Sequence, residues 1–162
     1  MADSPSPEEV ALWQRRLASQ ANNRAWRLSE SLSRSPDEDE EMLQAAHAAM
    51  HFWKIVGNAN NRAHAAMLVA HVCALLKLPN PAKHYWAKSE PVFLEQECDA
   101  WEKAIAFAVK ANIGAASGDC EMHAVNYREA ESRIRALPDP EDREVLNATL
   151  RVVPAPAIGK AA

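Results

Sequence analysis

Three histidines are spaced in a way that could support metal chemistry. His47 and His51 stand four residues apart, and in a helix this spacing places both imidazoles on the same side. An antiparallel helix hairpin with its turn near residue 58 would bring His71 level with His47. Because three imidazoles at one site would suit zinc or iron, the chain could be a metal-binding protein with a hydrolytic or sensing role.

The residues around this histidine pair favour a different interpretation. His47 and His51 lie on a polar stripe, which should face water or a groove rather than pack against another helix. The stripe consists of Glu40, Gln44, His47, His51 and Lys54. No HExxH motif is present, and neither Ala48 nor Ala49 could act as a general base. We therefore predict no metal site and no cofactor, and the cluster of His47, His51 and His71 stays as the alternative.

The cysteines and loops indicate no other catalytic chemistry. Cys73, Cys98 and Cys120 are odd in number and lack CxxC spacing, which is typical of reduced thiols rather than of a disulfide framework or a zinc knuckle. Neither a GxSxG motif nor a glycine-rich phosphate loop occurs in the sequence. We therefore expect a protein that is not an enzyme.

Composition and charge exclude several classes of function. The net charge of −4 leaves no basic excess to neutralise phosphates, which argues against nucleic-acid binding. Residues 1–7 have neither the basic region nor the apolar core of a signal peptide. Apolar stretches all fall short of the roughly 20 residues that span a bilayer. These features predict a cytoplasmic protein with no membrane partner.

Helix-forming residues dominate the elements that would position any site. Only 4 glycines, abundant alanine and few β-branched residues favour an all-α fold. The predicted helices span residues 7 to about 32, 36–56, 60–77, 80 to beyond Pro91, 99–117, 119–136 and 139–151. They form a single domain over residues 7–151, with a disordered lead at 1–6 and a flexible tail at 152–162.

Residues at the helix ends support these boundaries. The segments 6–9 and 35–38 each combine serine, proline and an acidic residue in the order that begins a helix. Gly57 could end the second helix in the left-handed conformation, and Gly118 could end the fifth. Pro91 should kink or divide the fourth helix near Ser89. Most of the tryptophans, Trp13, Trp26, Trp53, Trp86 and Trp101, should fill the space between helix layers.

The stretch from Ala65 to Ala82 resembles the first helix, the turn and the start of the second helix of a tetratricopeptide repeat. Ala70 matches the small residue of helix one, Ala82 the small residue of helix two, and Trp86 the bulky position that follows. The segments 45–57, 79–82 and 139–144 more closely resemble a group of uncharacterised bacterial tetratricopeptide-like proteins. Lys77 departs from that group's pattern, since a turn glycine is expected there.

The resemblance implies a right-handed superhelix of antiparallel helix pairs, about seven helices in all, whose concave side holds a peptide. It places His64, Met67 and His71 on that side. The expected groove comprises Asn23, Arg27, His64, Met67, His71, Ile105 and Asn112. The leading hypothesis is therefore a non-catalytic module that binds a protein or peptide, and apolar stripes left over at the two ends also allow a homodimer.

Overall fold

A computed structural model describes residues 4–157, which form seven α-helices and no β-strand. The helices are α1 (Pro7–Ser29), α2 (Pro36–Val56), α3 (Ala59–Leu75), α4 (Pro79–Phe93), α5 (Ala100–Ser117), α6 (Cys120–Ala136) and α7 (Pro140–Arg151). The all-α prediction is confirmed for this part of the chain. Residues 1–3 of the predicted lead and 158–162 of the predicted tail lie outside the described residues.

Both predicted serine starts form capping boxes. The Ser6 hydroxyl accepts a hydrogen bond from the Glu9 backbone N–H at 3.2 Å, and the Glu9 carboxylate accepts one from the Ser6 N–H at 2.8 Å. Ser35 and Glu38 make the same reciprocal pair. Each pair satisfies backbone donors that the first helical turn would otherwise leave without partners. These two boundaries are confirmed.

The turn after α2 differs from its prediction. Gly57 has φ −93°, which any residue can adopt, so the predicted left-handed conformation is wrong. Glycine is required there for space, because a Cβ would lie 2.6 Å from the Trp53 carbonyl oxygen. Among residues 4–157, the left-handed residues are Gly118, with φ 71°, and Lys77, with φ 58°. Lys77, where the resemblance predicts a turn glycine, thus has the left-handed conformation that glycine adopts readily.

Pro91 does not divide α4, so the predicted division of this helix near Ser89 is wrong. The helix continues through Pro91 to Phe93, and the Leu94 N–H donates to the Glu90 carbonyl at 2.8 Å. Pro91 lies in the last turn, where its missing N–H removes one hydrogen bond but leaves almost no helix to disrupt. The proline therefore marks the end of α4 rather than a break in it.

Helix α3 lies at the centre of the packing. Consecutive helices pair as α1 with α2, α3 with α4, and α5 with α6, while α3 also contacts α1, α2 and α5. Residues 65–74 are all buried. Many of the buried residues are alanines, including Ala66 and Ala70 on α3 and Ala104 and Ala108 on α5. Helix α7 covers α5 and α6, and none of the described helices is both long and apolar enough to cross a membrane.

The tryptophans mostly lie outside this core, contrary to prediction. Trp86 is 5% exposed, whereas Trp13 is 50% exposed and Trp101 is 37% exposed. Trp26 and Trp53 are half-buried. Small side chains on α3 and α5 bring the helix backbones too close together for indole rings to fit between them. Trp26, Trp53 and Trp101 lie in terminal turns of their helices, where they form the walls of a groove.

Candidate binding groove

A groove of about 470 Å³ opens between α1, α3, α5 and α7. Its walls are three indoles: Trp26 from the last turn of α1, Trp53 from the end of α2 and Trp101 from the first turn of α5. His64 and Met67 of α3 also line it, next to the aromatic walls. We call this site the tryptophan groove.

His64 is fixed in the wall by a carboxylate. Its Nε2 lies 2.6 Å from Oε1 of Glu102, an oxygen that also accepts a hydrogen bond from the Asn60 amide at 3.2 Å. The imidazole stacks on Trp101 with centroids 5.5 Å apart and lies 4.7 Å from the Phe93 ring. The orientation of His64 is therefore set from several directions at once.

Glu102 keeps its charge although it is almost fully buried. Burial acts to raise the pKa of Glu102, but hydrogen bonds from His64, Asn60 and the Asp99 backbone N–H outweigh it, so the net pKa is below the ordinary value. Hydrogen bonds to a carboxylate favour its ionised form. The carboxylate thus links the start of α5 to the middle of α3 beneath the tryptophan groove.

A buried histidine, His71, supports the Trp26 wall. His71 is fully buried, and its Nδ1 accepts a hydrogen bond from the Asn112 amide at 3.1 Å. Nδ1 therefore carries no proton, which places the proton of the neutral ring on Nε2. The ring stacks on Trp26 with centroids 5.6 Å apart. Burial, assisted by the positive charge of Arg34, lowers the pKa of His71 to about 3.

Acidic groups lie at the rim of the tryptophan groove. Glu30 and Asp142 line it, and none of the described lining residues is lysine or arginine. Within residues 4–157, neither carboxylate forms an ion pair. Burial raises the pKa of Glu30, and the positive charge of Arg151 offsets part of that effect. The groove therefore combines aromatic walls with unpaired negative charge.

The structure brings together only part of the predicted groove. Of the predicted residues, His64, Met67 and Ile105 line the tryptophan groove. Asn23 and Arg27 are exposed on α1 but line none of the described cavities, because their neighbours Asn22 and Trp26 face the groove instead.

The predicted placement of His71 and Asn112 on the groove surface needs correction. Both are buried and contact each other between α3 and α5, and the His71 ring stacks on Trp26. Neither residue is among the described lining residues of the tryptophan groove, so the pair supports its Trp26 wall from behind.

Several lining residues were not predicted from the sequence. Trp53 and Trp101 were expected in the core, and no groove residue was predicted on α7, which contributes Asp142 and Thr149, or at Glu30, which follows α1. A sequence signal for two of the walls is that Trp53 and Trp101 stand within a few residues of predicted helix ends.

The alternative metal cluster does not form. His71 faces α1 and α5, whereas His47 contacts Tyr85 on α4 with ring centroids 5.5 Å apart. His47 and His51 lie on the far side of α3, as their polar stripe suggested. Among residues 4–157, no group of three or more histidine, cysteine, aspartate or glutamate side chains could hold a metal ion. The cluster would require His71 to face α2, but His71 contacts Trp26 of α1 and Asn112 of α5 instead.

Comparisons of the chain with protein-family models, with curated proteins and with solved structures found no significant match.

Proposed function

We propose that this chain is a non-catalytic module that binds a protein or peptide partner, and that its tryptophan groove accepts a positively charged side chain of that partner. The observation that carries the proposal is the combination of three indole walls with two acidic residues and no basic residue among the described lining positions. His64, Met67 and Ile105 are part of this proposed site, since they also line the groove.

Cation recognition follows from the chemistry of the walls. A cation over an indole face gains roughly 0.5–2 kcal/mol, depending on how far it is desolvated. The guanidinium of Arg15 already lies 5.9 Å from the centroid of Trp53, which is a contact of this kind within the protein itself. Glu30 and Asp142 would add charge complementarity, which favours lysine or arginine and disfavours acidic side chains.

A binding role accounts for His64 better than a catalytic one. Its Nε2 is engaged by Glu102 and its ring is held against Trp101 and Phe93. The described lining residues include no serine, cysteine or lysine nucleophile. Thr149 lines the groove, but its hydroxyl is almost fully buried and no basic group contacts it among the described residues. His64 therefore acts as a fixed wall.

We also infer that the helix pairs form a right-handed tetratricopeptide-like superhelix. In support, the first helices α1, α3 and α5 are neighbours, and each second helix contacts the first helix of the next pair. The left-handed Lys77 at the turn of the α3–α4 pair supports the same interpretation. Such an arrangement presents a concave surface to an extended partner. The unpaired thiols of Cys73, Cys98 and Cys120 support a reducing, cytoplasmic location.

A set of short peptides tests the proposal. Blocked pentapeptides of alanine with a central lysine, arginine, norleucine or glutamate are titrated into the protein by calorimetry. We expect the lysine and arginine peptides to bind at least about tenfold more tightly than the others, since that ratio corresponds to about 1.4 kcal/mol of cation recognition. Equal affinity for the norleucine or glutamate peptide would overturn the charge preference.

Substitutions locate the binding site. Trp101→Ala removes a partly exposed wall of the groove. It should lower the affinity for the lysine peptide by about tenfold, which is within the range of one cation–π contact. Trp13→Ala is the matched control, because Trp13 is also exposed, at 50% against 37% for Trp101, but lines none of the described cavities. Glu30→Gln should weaken the lysine peptide more than the norleucine peptide. Unchanged binding by Trp101→Ala would show that the ligand lies elsewhere.

A further inference from the structure

A second groove lies on the other side of α3. It encloses about 750 Å³ between α2, α3 and α4. Ala63 and Ala66 of α3 form its buried floor, whereas the intervening His64 and the next residue Met67 face the tryptophan groove. Met50 and Val92 extend the apolar floor from the two flanking helices. We call this site the basic groove.

The rim of the basic groove is positively charged. Lys54 comes from α2, Arg62 from α3 and Lys88 from α4, and no described lining residue is acidic. Within the part of the chain that the structure describes, none of the three forms an ion pair with a carboxylate. The Arg62 guanidinium donates only to the Gly57 carbonyl, at 2.8 Å. Three cations therefore converge without counter-charge, although the whole chain has a net charge of −4.

Imidazoles add polar donors to the same rim. His47 and His51 stand one helical turn apart on α2, and His84 faces them from α4. The His47 ring meets the Tyr85 ring edge-on at 5.5 Å, which closes one part of the groove. The rim thus offers ammonium, guanidinium and imidazole donors above a floor that offers none.

We propose that the basic groove binds an amphiphilic organic anion, whose phosphate or carboxylate lies among Lys54, Arg62 and Lys88 and whose apolar part covers Ala63 and Ala66. Its volume is within the range of about 300–1,000 Å³ that is typical of small-ligand sites. The apolar floor gains from contact with an alkyl or aryl group, and the cationic rim gains from contact with the acid. The proposal does not depend on peptide binding in the tryptophan groove. The two grooves lie on different faces of α3, and their rims carry charges of opposite sign.

The test uses probes that separate the two halves of the ligand. Octyl phosphate, octanoate, octyltrimethylammonium and inorganic phosphate are titrated by NMR below their micelle concentrations at low ionic strength. Octyl phosphate or octanoate should bind and shift the signals of Tyr85, Ala63 and Ala66. The tighter of these two ligands shows whether the groove prefers a phosphate or a carboxylate. Inorganic phosphate should bind at least about tenfold more weakly, because it gains nothing from the apolar floor.

Charge-neutral variants test the rim. The double variant Lys54→Gln and Lys88→Gln should bind the alkyl anion at least about tenfold more weakly, because two charge-assisted hydrogen bonds are removed. Lys83→Gln is the matched control, since Lys83 is exposed on α4 but does not line the groove. All three lysines are exposed, so the variants should keep the wild-type circular dichroism spectrum.

Several results would overturn the proposal. Equal affinity for octyltrimethylammonium would show that the rim does not select charge, and equal affinity for inorganic phosphate would show that the floor does not participate. Unchanged affinity in the double variant would place the ligand elsewhere. Tighter binding of a hexaglutamate peptide than of either alkyl anion would assign the groove to an acidic protein segment instead.

Discussion

The imidazole of His71 stacks on the indole of Trp26, with ring centroids 5.6 Å apart and planes inclined by 28°. His71 belongs to the core of α3, and Trp26 forms a wall of the tryptophan groove. Asn112 holds the imidazole from α5 by a hydrogen bond to its Nδ1. A buried polar pair thus sets the position of an aromatic wall that a ligand would touch.

The burial of His71 predicts acid sensitivity. Its pKa is lowered from 6.5 to about 3 in the folded chain, by burial and by Arg34. Between these pH values the unfolded chain binds a proton that the folded chain does not, so the free energy of unfolding should fall as the pH falls, by up to about 1.4 kcal/mol per pH unit. Urea denaturation at intervals from pH 7 to pH 4.5 measures the slope.

A non-titrating side chain isolates this contribution. His71→Gln should flatten the dependence of unfolding free energy on pH between 6.5 and 4.5, whatever its effect at pH 7. The control is His84→Gln, because His84 is exposed. A His71→Gln curve that runs parallel to the wild-type curve would contradict the prediction.

Glu102 should stabilise the fold at neutral pH and lose that effect in acid. Glu102→Ala leaves His64, Asn60 and the Asp99 N–H without their acceptor, at a cost of roughly 1–3 kcal/mol. Because the pKa of Glu102 is lowered on folding from its ordinary 4.5, its contribution is present above pH 4.5 and is lost as the pH falls through the folded value.

Chemical denaturation at pH 7 and pH 3 measures this difference. The difference in free energy of unfolding between Glu102→Ala and wild type should be smaller at pH 3 than at pH 7. Glu95→Ala is the control, because Glu95 is exposed and lies between α4 and α5. Trp101 fluorescence should also change in the Glu102→Ala variant, since His64 would no longer be held against that ring. An equal gap at both pH values would argue that the loss is one of packing alone.

Helix starts were predictable because each depends on a few adjacent residues. The capping boxes of Ser6 and Ser35 need only a serine and a glutamate three residues later. Burial of α3 was also foreseeable, since its small residues Ala66 and Ala70 favour close packing. These features are local or periodic, so the sequence alone contains them.

Groove membership was less predictable because it depends on helix rotation. Adjacent helical residues point about 100° apart, so an error of one residue exchanges Asn23 for Asn22. His71 and His64 lie on α3 within the same predicted stripe, yet one is buried and the other reaches the groove. The contribution of Asp142 follows from the docking of α7, which no local pattern specifies.

Lys77 is a site where a single substitution should stabilise the fold. Its φ of 58° is left-handed, a conformation that costs a residue with a side chain about 1 kcal/mol. Lys77→Gly should remove this strain and raise the free energy of unfolding by up to about 1 kcal/mol, less the entropy that glycine adds to the unfolded chain. Lys77→Ala is the matched control, because alanine keeps the strain. Equal free energies of unfolding for Lys77→Gly and Lys77→Ala would contradict the view that the backbone is strained at this position.

Gly114 is a site where a single methyl group should loosen the fold. A Cβ there would lie 2.5 Å from the backbone nitrogen of His123 and 2.8 Å from its Cα, so α5 and α6 would have to move apart. We expect Gly114→Ala to cost about 1–3 kcal/mol, even though alanine favours a helix over glycine by about 1 kcal/mol.

Gly118→Ala separates overpacking from backbone strain. A Cβ at Gly118 meets no atom within 4 Å, and the only penalty is its φ of 71°, so the damage should stay within the turn. Gly114→Ala should instead shift the NMR signals along α6 and weaken the 2.6 Å hydrogen bond between His123 Nε2 and the Pro154 carbonyl. Because α6 can relieve the clash only by moving as a unit, a response confined to residues next to Gly114 would contradict the close approach of the two helices.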